Sequence, residues 1–405
     1  MQTHFDIIIN GGGLAGNSLA LALAHTSLTI GVIEPYPPSE PQRNLLESRT
    51  IALSHGACRI YQGMDVWSEL APHCTPIQHI HVSDKGHFGI TRIHAKEQHM
   101  PALGYVLQIA EVNRVLSEKV KQHANIHYLC PAKIKQAHLI DNEWQLELES
   151  AQDAVQTIFC KLLIAADGGQ SPLRQMAGLS AEEKDYQQTA IVTSVQLSRP
   201  HENIAYERFI ADGPIALLPV KENVCAVIVT VANEKLQSWQ AMTDTQFLQA
   251  LQREFGYRLG RFQQIGTRVN YPLKLITTSK QTAPQFALVG NAAHALHPIA
   301  AQSFNLSLRD IATLAELITN AVKKQQVIYS AALLDEYVAL RQDDQTRTVR
   351  FTDGLVEIFS SSFLALPRSI AMTGLDMVPP LKTLLGKYGA GTLGKLSRLG
   401  RGISI

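Results

Sequence analysis

Short apolar runs, each followed by a turn that contains glycine, recur along the chain. Phe5–Asn10 predicts a buried strand, and Leu28–Ile33 predicts a second one. Leu162–Ala166 and Phe286–Val289 have the same character. After the last run, apolar residues repeat at helical spacing and predict a helix that begins near residue 303; they are Phe304, Leu308, Ile311, Ala315 and Ile318. Strands that alternate with helices in this way favour an α/β fold.

A second group of apolar segments predicts an antiparallel sheet inserted between parts of the first domain. Its strands are expected near Val82 and over residues 191–197, 204–210, 215–220 and 224–231. Residues beyond about 330 are predicted to be mainly helical. The predicted division assigns 1–75, 101–180 and 273–330 to the first domain, 76–100 and 181–272 to the inserted domain, and 331–405 to a helical C-terminal region.

Composition narrows the class of protein. The 405 residues carry 36 Lys and Arg against 35 Asp and Glu, a net charge of +1, which argues against a nucleic-acid binder. No segment reaches the roughly 18 consecutive apolar residues that a membrane-spanning helix needs. The five cysteines are scattered without CxxC spacing, and no Lys or Arg precedes Arg43. We therefore expect reduced thiols and a cytoplasmic protein without a secretory signal.

The first glycine turn has the pattern of a dinucleotide-binding loop. Gly11, Gly13 and Gly16 form G-x-G-x-x-G between a predicted strand and a predicted helix, and Glu34 ends the next strand. Gly11 permits a tight turn, Gly13 lets the backbone approach a pyrophosphate, and Gly16 lets the helix pack on the strand. Glu34 can accept hydrogen bonds from a ribose diol, which favours FAD or NAD. A glycine-rich turn without a ligand is the plain alternative.

Two later turns favour FAD over NAD. Asp167-Gly168 follows one apolar strand, and Gly290-Asn291 follows another more than 250 residues after the first turn. A dehydrogenase needs only one nucleotide-binding crossover, whereas one extended ligand would be held at several places along the chain. Asp167 could also merely cap the end of its strand.

These three motifs resemble those of flavoprotein aromatic hydroxylases of the para-hydroxybenzoate hydroxylase type. The nearest resemblance is to the 2-polyprenyl-6-methoxyphenol hydroxylase family of ubiquinone biosynthesis. It is carried by several stretches, namely residues 48–54, 81–87, 207–209, 213–219, 271–273, 289–293, 296–300 and 304–310. The resemblance implies a Rossmann-like FAD-binding domain with an inserted antiparallel-sheet substrate domain, α/β or α+β overall.

The resemblance also implies a reaction. NAD(P)H would reduce FAD, and O2 would form a flavin C4a-hydroperoxide whose distal oxygen goes to an electron-rich ring. The implied substrate is 2-polyprenyl-6-methoxyphenol and the implied product a methoxy-benzoquinol. Other ubiquinone-biosynthesis proteins are expected as partners. The alternatives are another ring hydroxylase of the same fold, or a flavin-poor scaffold in a quinone-synthesis complex.

Residues are assigned to FAD by their places in the family motifs. The isoalloxazine ring is expected near Arg49, His297 and Pro298, and the positive end of the following helix would face the flavin. No residue is assigned as a catalytic group. The full set of expected FAD-binding residues is Gly11, Gly13, Gly16, Glu34, Arg49, Gln108, Arg114, Asp167, Gly168, Gly290, Asn291, Pro298, Ala301, Ser303 and Asn305.

The sequence departs from the family pattern at the third motif. Asn291 stands where most of the family has Asp, and Ala301, Ser303 and Ser307 stand where it has glycine. A Cβ atom at Ala301 or Ser303 would crowd the flavin edge, because glycine there permits close approach and unusual dihedral angles. Weakened FAD binding is the expected consequence.

Several other residues invite a chemical interpretation. We expect His294 and His297 to be interior or ring-packing residues rather than catalytic bases. His79 and His81 alternate on one strand, but no second ligand pair has suitable spacing, so no metal site is predicted. The tail from Met377 has five basic residues, no acid and interleaved leucines. It is expected either to contact the inner face of a membrane peripherally or to be a loosely docked terminus.

Overall fold

The apolar runs at the first and third predicted strands pair side by side in one sheet. A computed structural model of the protein describes residues 2–150, 155–360 and 363–405. In the eight-stranded sheet the order is β18-β19-β11-β1-β2-β8, with β10 added to β11 and β9 to β10. Its strands are β1 (His4–Asn10), β2 (Ile30–Ile33), β8 (Ile126–Leu129), β9 (Ala132–Ile140), β10 (Glu143–Ser150), β11 (Val155–Ala165), β18 (Thr282–Ala283) and β19 (Phe286–Leu288).

Strands β19, β11, β1, β2 and β8 run parallel, as expected when helices connect them. Three helices cover one face of this sheet with a shared core that includes Leu19, Ile164, Val115 and Ile311. They are α1 (Leu14–Leu23), α4 (Ile109–Lys121) and α8 (Gln302–Lys323). The predicted long helix is therefore confirmed, and it begins one residue earlier than expected.

The inserted sheet is nine-stranded, in the order β20-β17-β12-β15-β14-β13-β5-β6, with β16 beside β12. Its strands are β5 (His79–Asp84), β6 (Ile90–His94), β12 (Glu182–Leu197), β13 (Ile204–Ile210), β14 (Gly213–Lys221), β15 (Val224–Ala232), β16 (Phe262–Ile265), β17 (Val269–Thr277) and β20 (His294–Ala295). One face packs on α6 (Asn233–Gln240) and α7 (Asp244–Phe255). The other face meets the first domain.

Three details of this sheet differ from the expectation. β5 pairs with β13 in parallel, because more than 100 residues separate them and no hairpin fixes their direction. The predicted boundary at residue 272 falls inside β17, which continues to Thr277. β20 also joins this sheet although it follows the third glycine turn.

A three-stranded sheet joins the two larger ones. It consists of β3 (Thr50–Ser54), β4 (Thr75–Ile77) and β7 (Gly104–Gln108), in the order β3-β7-β4. Two short helices, α2 (His55–Gly63) and α3 (Trp67–Leu70), lie between β3 and β4. A third, α5 (Pro172–Met176), follows the turn after β11.

The C-terminal region is helical, as predicted. It contains α9 (Ala331–Ser360), α10 (Ala365–Met377) and α11 (Pro379–Gly389). Met372 of α10 lies against β6, where its carbonyl accepts a hydrogen bond from Thr91. In the part of the chain that the structure describes, no helix has the length and apolar character needed to cross a bilayer.

Candidate functional site

Three turns that are distant in sequence meet at the carboxyl ends of β1, β11 and β19. Asn10 at the end of β1 donates a hydrogen bond from Nδ2 to Asp167 Oδ2 over 3.3 Å. A Cβ atom on Gly290 would lie 2.9 Å from Cβ of Ala15 in α1. The carboxyl edge of an open parallel sheet is where such folds bind ligands.

The first turn has the geometry that its glycines predict. Gly11 has φ +112°, and a Cβ atom there would lie 2.4 Å from the carbonyl oxygen of Ala166. A Cβ atom on Gly16 would lie 1.8 Å from the carbonyl oxygen of Gly11. Gly13 differs, because a Cβ atom there would have no heavy atom within 4 Å. Gly11 and Gly16 are thus required by packing, whereas Gly13 borders open space.

Helix α1 presents its N-terminus at this open space. Gly13 is its N-cap and provides no side-chain hydrogen bond, and the first turn contains no acidic residue. The first backbone N–H groups of a helix lack intrahelical partners and, with the helix dipole, favour an anion. Gly13 and the start of α1 therefore form a place for a phosphate group.

Glu34 lies directly behind the turn. Its Oε2 accepts a hydrogen bond from the Gly12 N–H at 2.7 Å, and its Oε1 accepts one from the Tyr36 N–H at 3.1 Å. Each carboxylate oxygen can accept a further bond, so both could also receive ribose hydroxyl groups.

Sequence reasoning missed two side chains that shape the same turn. Asn17 Nδ2 and the Tyr128 hydroxyl both donate to the carbonyl oxygen of Gly12, over 2.6 and 3.3 Å. Tyr128 lies on β8, more than 100 residues away, and no local pattern marks it. Asn17, a buried polar residue in an apolar helix, was the available signal.

Asp167 lies just after the carboxyl end of β11 and is fixed there by hydrogen bonds. Its Oδ2 accepts the bond from Asn10 and one from the Leu173 N–H at 3.4 Å. Its Oδ1 is buried and has no hydrogen-bond partner among the described residues. Burial raises the pKa of this carboxyl, an effect that the hydrogen bonds from Leu173 and Asn10 oppose. A buried acceptor without a partner is costly unless a ligand satisfies it.

Arg174 connects the second turn to the third. Its guanidinium donates to the carbonyl oxygens of Gly169 and Ala292, each over 3.0 Å. Gly168 has φ +91°, in the left-handed region that favours glycine. The second and third turns are thereby fixed relative to each other.

Arg49 and Gln108 lie together at one end of the three-stranded sheet. The Ile109 N–H donates to the Arg49 carbonyl at 2.8 Å. The exposed guanidinium of Arg49 lies 5.3 Å from the centre of the Tyr271 ring on β17, so it spans the two domains. Gln108 Oε1 is a second buried acceptor without a partner in the described structure.

Arg114 is committed to a different interaction. It lies on α4 with its guanidinium 2.5 Å from Glu111 and 2.7 Å from Glu118. The structure therefore does not bring its charge to the three turns, and its assignment to FAD stays a prediction.

The third turn places Gly290, Asn291 and Pro298 around the start of α8. Gly290 has φ +65°, and Asn291 is exposed with its Oδ1 accepting from Ser303 Oγ at 3.4 Å. Pro298 is exposed.

His297 is buried, and burial lowers its pKa to about 4, so the ring is neutral near pH 7. Its Nδ1 accepts from the Ile299 N–H, and its ring packs edge-on against Tyr186 at 5.1 Å.

Asn305 anchors the start of α8. Its Nδ2 donates to the carbonyl oxygens of Ala52 and Ala301, over 3.0 and 2.6 Å, and its Oδ1 accepts from the Ser54 N–H at 2.8 Å. These bonds join the turn before α8 to β3. Asn305 therefore positions the backbone of the site through three backbone partners.

A buried ion network supports the third turn from behind. His294 Nε2 lies 2.5 Å from Asp310 Oδ2, and Arg341 Nε lies 2.6 Å from Asp310 Oδ1. Arg341 and Arg309 both contact Asp344, at 2.5 and 2.7 Å. His294 is thus an interior residue of the network, in agreement with the expectation.

The three missing glycines have different structural meanings. Ala301 has φ +50° and ψ +38° as the N-cap of α8, and Ala300 before it has φ +57°. Ser303 and Ser307 are instead helical residues. Ser303 Oγ accepts from the Leu296 N–H, and Ser307 Oγ donates to the Ser303 carbonyl. Only Ala301, of the three, occupies a conformation that favours glycine.

We expect Ala301→Gly to raise the free energy of unfolding by about 1 kcal/mol, because a left-handed alanine costs roughly that amount. Ser303→Gly should lower it by about 1 kcal/mol, since it removes hydrogen bonds and helix propensity. Urea unfolding of the two variants beside wild type measures both effects. Equal changes for the two substitutions would show that the backbone conformation at Ala301 carries no strain.

The residues of the site fit FAD. The start of α1 suits a pyrophosphate, Glu34 suits a ribose diol, and the partnerless acceptors of Asp167 and Gln108 suit hydroxyl or N–H donors. The start of α8 has no side-chain cap and no acid in its first turn, so it suits the electron-rich edge of a flavin. Which of these residues contact FAD stays a prediction.

Comparison with known proteins agrees with this geometry. Residues 4–352 match the family described as FAD binding domain. The ubiquinone hydroxylase UbiL of Rhodospirillum rubrum is 31% identical over 406 residues, covering 99% of this chain and 93% of that protein. The 3-demethoxyubiquinol 3-hydroxylase of Escherichia coli is 28% identical, covering 95% and 98%.

The fold has a close counterpart among solved structures. The p-nitrophenol 4-monooxygenase PnpA of Pseudomonas putida superposes with a TM-score of 0.80 at 15% identity, covering 98% of this chain and 100% of that one. Fold, motifs and family match agree along most of the chain. The chain therefore belongs to the FAD-binding-domain family of FAD-dependent aromatic monooxygenases.

Proposed function

We propose that this protein is an FAD-dependent hydroxylase of ubiquinone biosynthesis that uses NAD(P)H and O2. The proposed reaction converts a 2-polyprenyl-6-methoxyphenol to a methoxy-benzoquinol. Relatives that match nearly the full chain carry names of ubiquinone hydroxylases, which supports the pathway. The meeting of the three turns at one sheet edge is the observation that carries the proposal.

Each part of the site has a role in this reaction. FAD, when bound, supplies the redox chemistry that oxygen insertion into an aromatic ring requires. The start of α1 would bind the pyrophosphate, and Glu34 and Asp167 would orient the sugar and ribityl hydroxyl groups. The positive end of α8 would stabilise negative charge on the flavin. Asn305 holds the backbone of that helix start in place.

The inserted sheet would cover the substrate. Arg49 contacts Tyr271 of this sheet, and Ala301 at the start of α8 packs in one cluster with Ala205 of β13. A ring bound between them would lie close to the flavin and away from bulk water, which protects reactive species from hydrolysis.

The purified protein tests the proposal directly. We expect visible flavin absorbance after purification, oxidation of NADH or NADPH that depends on a short-chain 2-methoxy-6-alkylphenol, and a hydroxylated product by mass spectrometry. Product analysis with several quinone precursors distinguishes other ring positions. A colourless protein that binds pathway proteins but does not oxidise NAD(P)H would contradict the proposal and favour the scaffold alternative.

We also propose that α10 and α11 contact an anionic membrane surface, where a polyprenyl substrate dissolves. Apolar side chains are exposed along both helices: Phe363, Leu366, Ile370, Met377, Val378, Leu381 and Leu384. We call this set the apolar strip. The tail from Met377 adds five basic residues and no acid, which matches an anionic surface. Among the leucines of the tail, Leu399 is buried and Leu385 packs inward, whereas the strip extends towards the N-terminus as far as Phe363.

The double variant Leu366→Glu/Ile370→Glu should reduce binding to vesicles containing anionic phospholipid about tenfold or more, because each side chain loses apolar burial. Flotation with anionic and with neutral vesicles measures the effect. Val327→Glu, at an exposed apolar residue outside the strip, is the matched control. Equal flotation of the double variant and the control would contradict membrane contact through the strip.

A further inference from the structure

The acidic side chain of Glu207 lies on the face of the inserted sheet that meets the flavin domain. Along β13, Tyr206 belongs to the core with α7, whereas Ala205 packs on the opposite side with Ala301. Side chains alternate along a strand, so Glu207 shares the face of Ala205 and Phe209. Phe209 stacks on Phe359 of α9 with ring centres 3.3 Å apart. Glu207 thus lies between Ala205, which packs in one cluster with Ala301 at the start of α8, and Phe209, which contacts α9.

Glu207 belongs to a row of apolar residues that crosses the sheet. Strand register places Val82 and Ala216 directly beside it, Ile228 beside Ala216, and Val192 beside Ile228. These four side chains are each only partly buried, whereas Ile215, Leu217, Val227 and Val229 on the opposite face are fully buried. The row is therefore less completely covered than the opposite face, and we call this partly covered strip the apolar cleft.

The carboxyl of Glu207 has no partner in this cleft. No hydrogen bond or ion pair involves it among the described residues, and its oxygens keep some contact with solvent. Asp84, which lies opposite Phe209 on β5, is already paired with Arg368 at 2.6 Å. Burial alone raises the pKa of Glu207 to about 8. A group kept at this cost in an apolar setting points to a ligand that pairs with it.

We propose that Glu207 receives the phenol hydroxyl of the substrate, accepting first its hydrogen bond and then its proton, in the apolar cleft of the inserted sheet. This inference rests on the proposed function. The phenol O–H bond breaks and an O–H bond forms on the carboxylate, while the electron pair stays on the phenolate oxygen. That charge spreads into the ring and makes its carbon atoms better nucleophiles for an electrophilic oxygen.

The pKa values of the Glu207 carboxyl and of a phenol agree with this step. A phenol has a pKa of about 10. An ordinary carboxylate is a much weaker base, but burial brings the pKa of Glu207 closer to that of a phenol. Proton transfer between groups with similar pKa values needs little free energy. The ionised carboxylate is the proton acceptor, and it is the major form above about pH 8.

Glu207→Gln tests the inference, because glutamine keeps the shape and can accept a hydrogen bond but cannot take the proton. The flavin-loaded variant is titrated above pH 8 with a short-chain 2-methoxy-6-alkylphenol. Flavin absorbance reports binding, and ultraviolet difference spectra report ionisation of the bound phenol. We expect flavin content equal to wild type, affinity about tenfold lower, and loss of the phenolate signal. Glu202→Gln, at an exposed glutamate before β13, is the control.

Thermal unfolding separates this role from a structural one. Above pH 8, replacing a carboxylate that has no partner by a neutral amide should leave the Tm of Glu207→Gln at or above that of wild type. If Glu207→Gln binds and ionises the phenol as wild type does, the inference is wrong while the proposed function stands. If flavin-loaded wild type does not respond to the phenol, both are wrong.

Discussion

Gly16→Ala is expected to abolish flavin retention and to lower the free energy of unfolding by roughly 3 kcal/mol. A Cβ atom at this position would lie 1.8 Å from the carbonyl oxygen of Gly11, which is backbone and cannot rotate away. Helix α1 would have to move off β1, and overpacking of this kind costs typically 1–3 kcal/mol. The turn that presents the start of α1 would move with it. Urea unfolding and flavin absorbance after purification measure the two effects.

Gly13→Ala is the matched control, since a Cβ atom there has no heavy atom within 4 Å. We expect this variant to unfold at nearly the same urea concentration as wild type but to retain much less flavin, because the added methyl group would stand where the pyrophosphate approaches. Undiminished flavin content in Gly13→Ala would mean that the cofactor does not approach this turn.

Asp310→Asn is expected to lower the free energy of unfolding by about 3 kcal/mol. Asp310 is fully buried and is the common partner of His294 and Arg341. Breaking a buried ion pair by removing one partner costs typically 3–5 kcal/mol, because the remaining charge has no compensation. The loss should reach the third turn, so the variant should also release flavin more readily. Urea unfolding at pH 7 and flavin content measure both effects.

The stabilisation by Asp310 should depend on pH with a definite sign. Burial acts to raise its pKa, but the charges of Arg341 and His294 outweigh burial and lower the pKa from 3.8 to about 2. A carboxyl with a lowered pKa contributes stability above its unfolded value and loses that contribution as pH falls through its folded value. The difference between wild type and Asp310→Asn should therefore be full at pH 7 and narrow below pH 4.

Asp343→Asn is the control for this experiment, because Asp343 lies on the same helix α9 but is exposed. We expect its free energy of unfolding to change by less than about 0.5 kcal/mol. Comparable losses for the two variants would mean that the net charge of the protein, and not the buried network, governs its stability.

The parts of the site that depend on local backbone geometry could be predicted from sequence. Gly11, Gly16 and Gly168 have the conformations or close contacts that their motifs imply, and Ala301 occupies the left-handed region expected where the family has glycine. The parallel strands then bring the three turns together without further information, since their carboxyl ends share one edge.

Contacts between distant side chains could not be predicted in the same way. The pairing of Arg114 with Glu111 and Glu118 competes with its assigned role, and Tyr128 reaches Gly12 from another strand. Glu207 stands beside Arg208 in a strand of otherwise apolar and aromatic residues, and the sequence does not show which of the two faces the flavin domain. Its environment depends on register with β5 and β14, which one sequence does not reveal.

The interleaved order of the two large sheets governs how the chain can fold during synthesis. β11 lies between β1 and β19, so its pairing is incomplete until residue 288 has been synthesised. β5 likewise gains its second partner only when β13 has been synthesised. A nascent chain of 150 residues therefore holds β1 and β5 with one edge unpaired each. Such long-range pairing is slow, and unpaired edges aggregate easily. Overexpression should therefore give more intact protein when translation is slowed or when chaperones that hold unfolded chains are abundant.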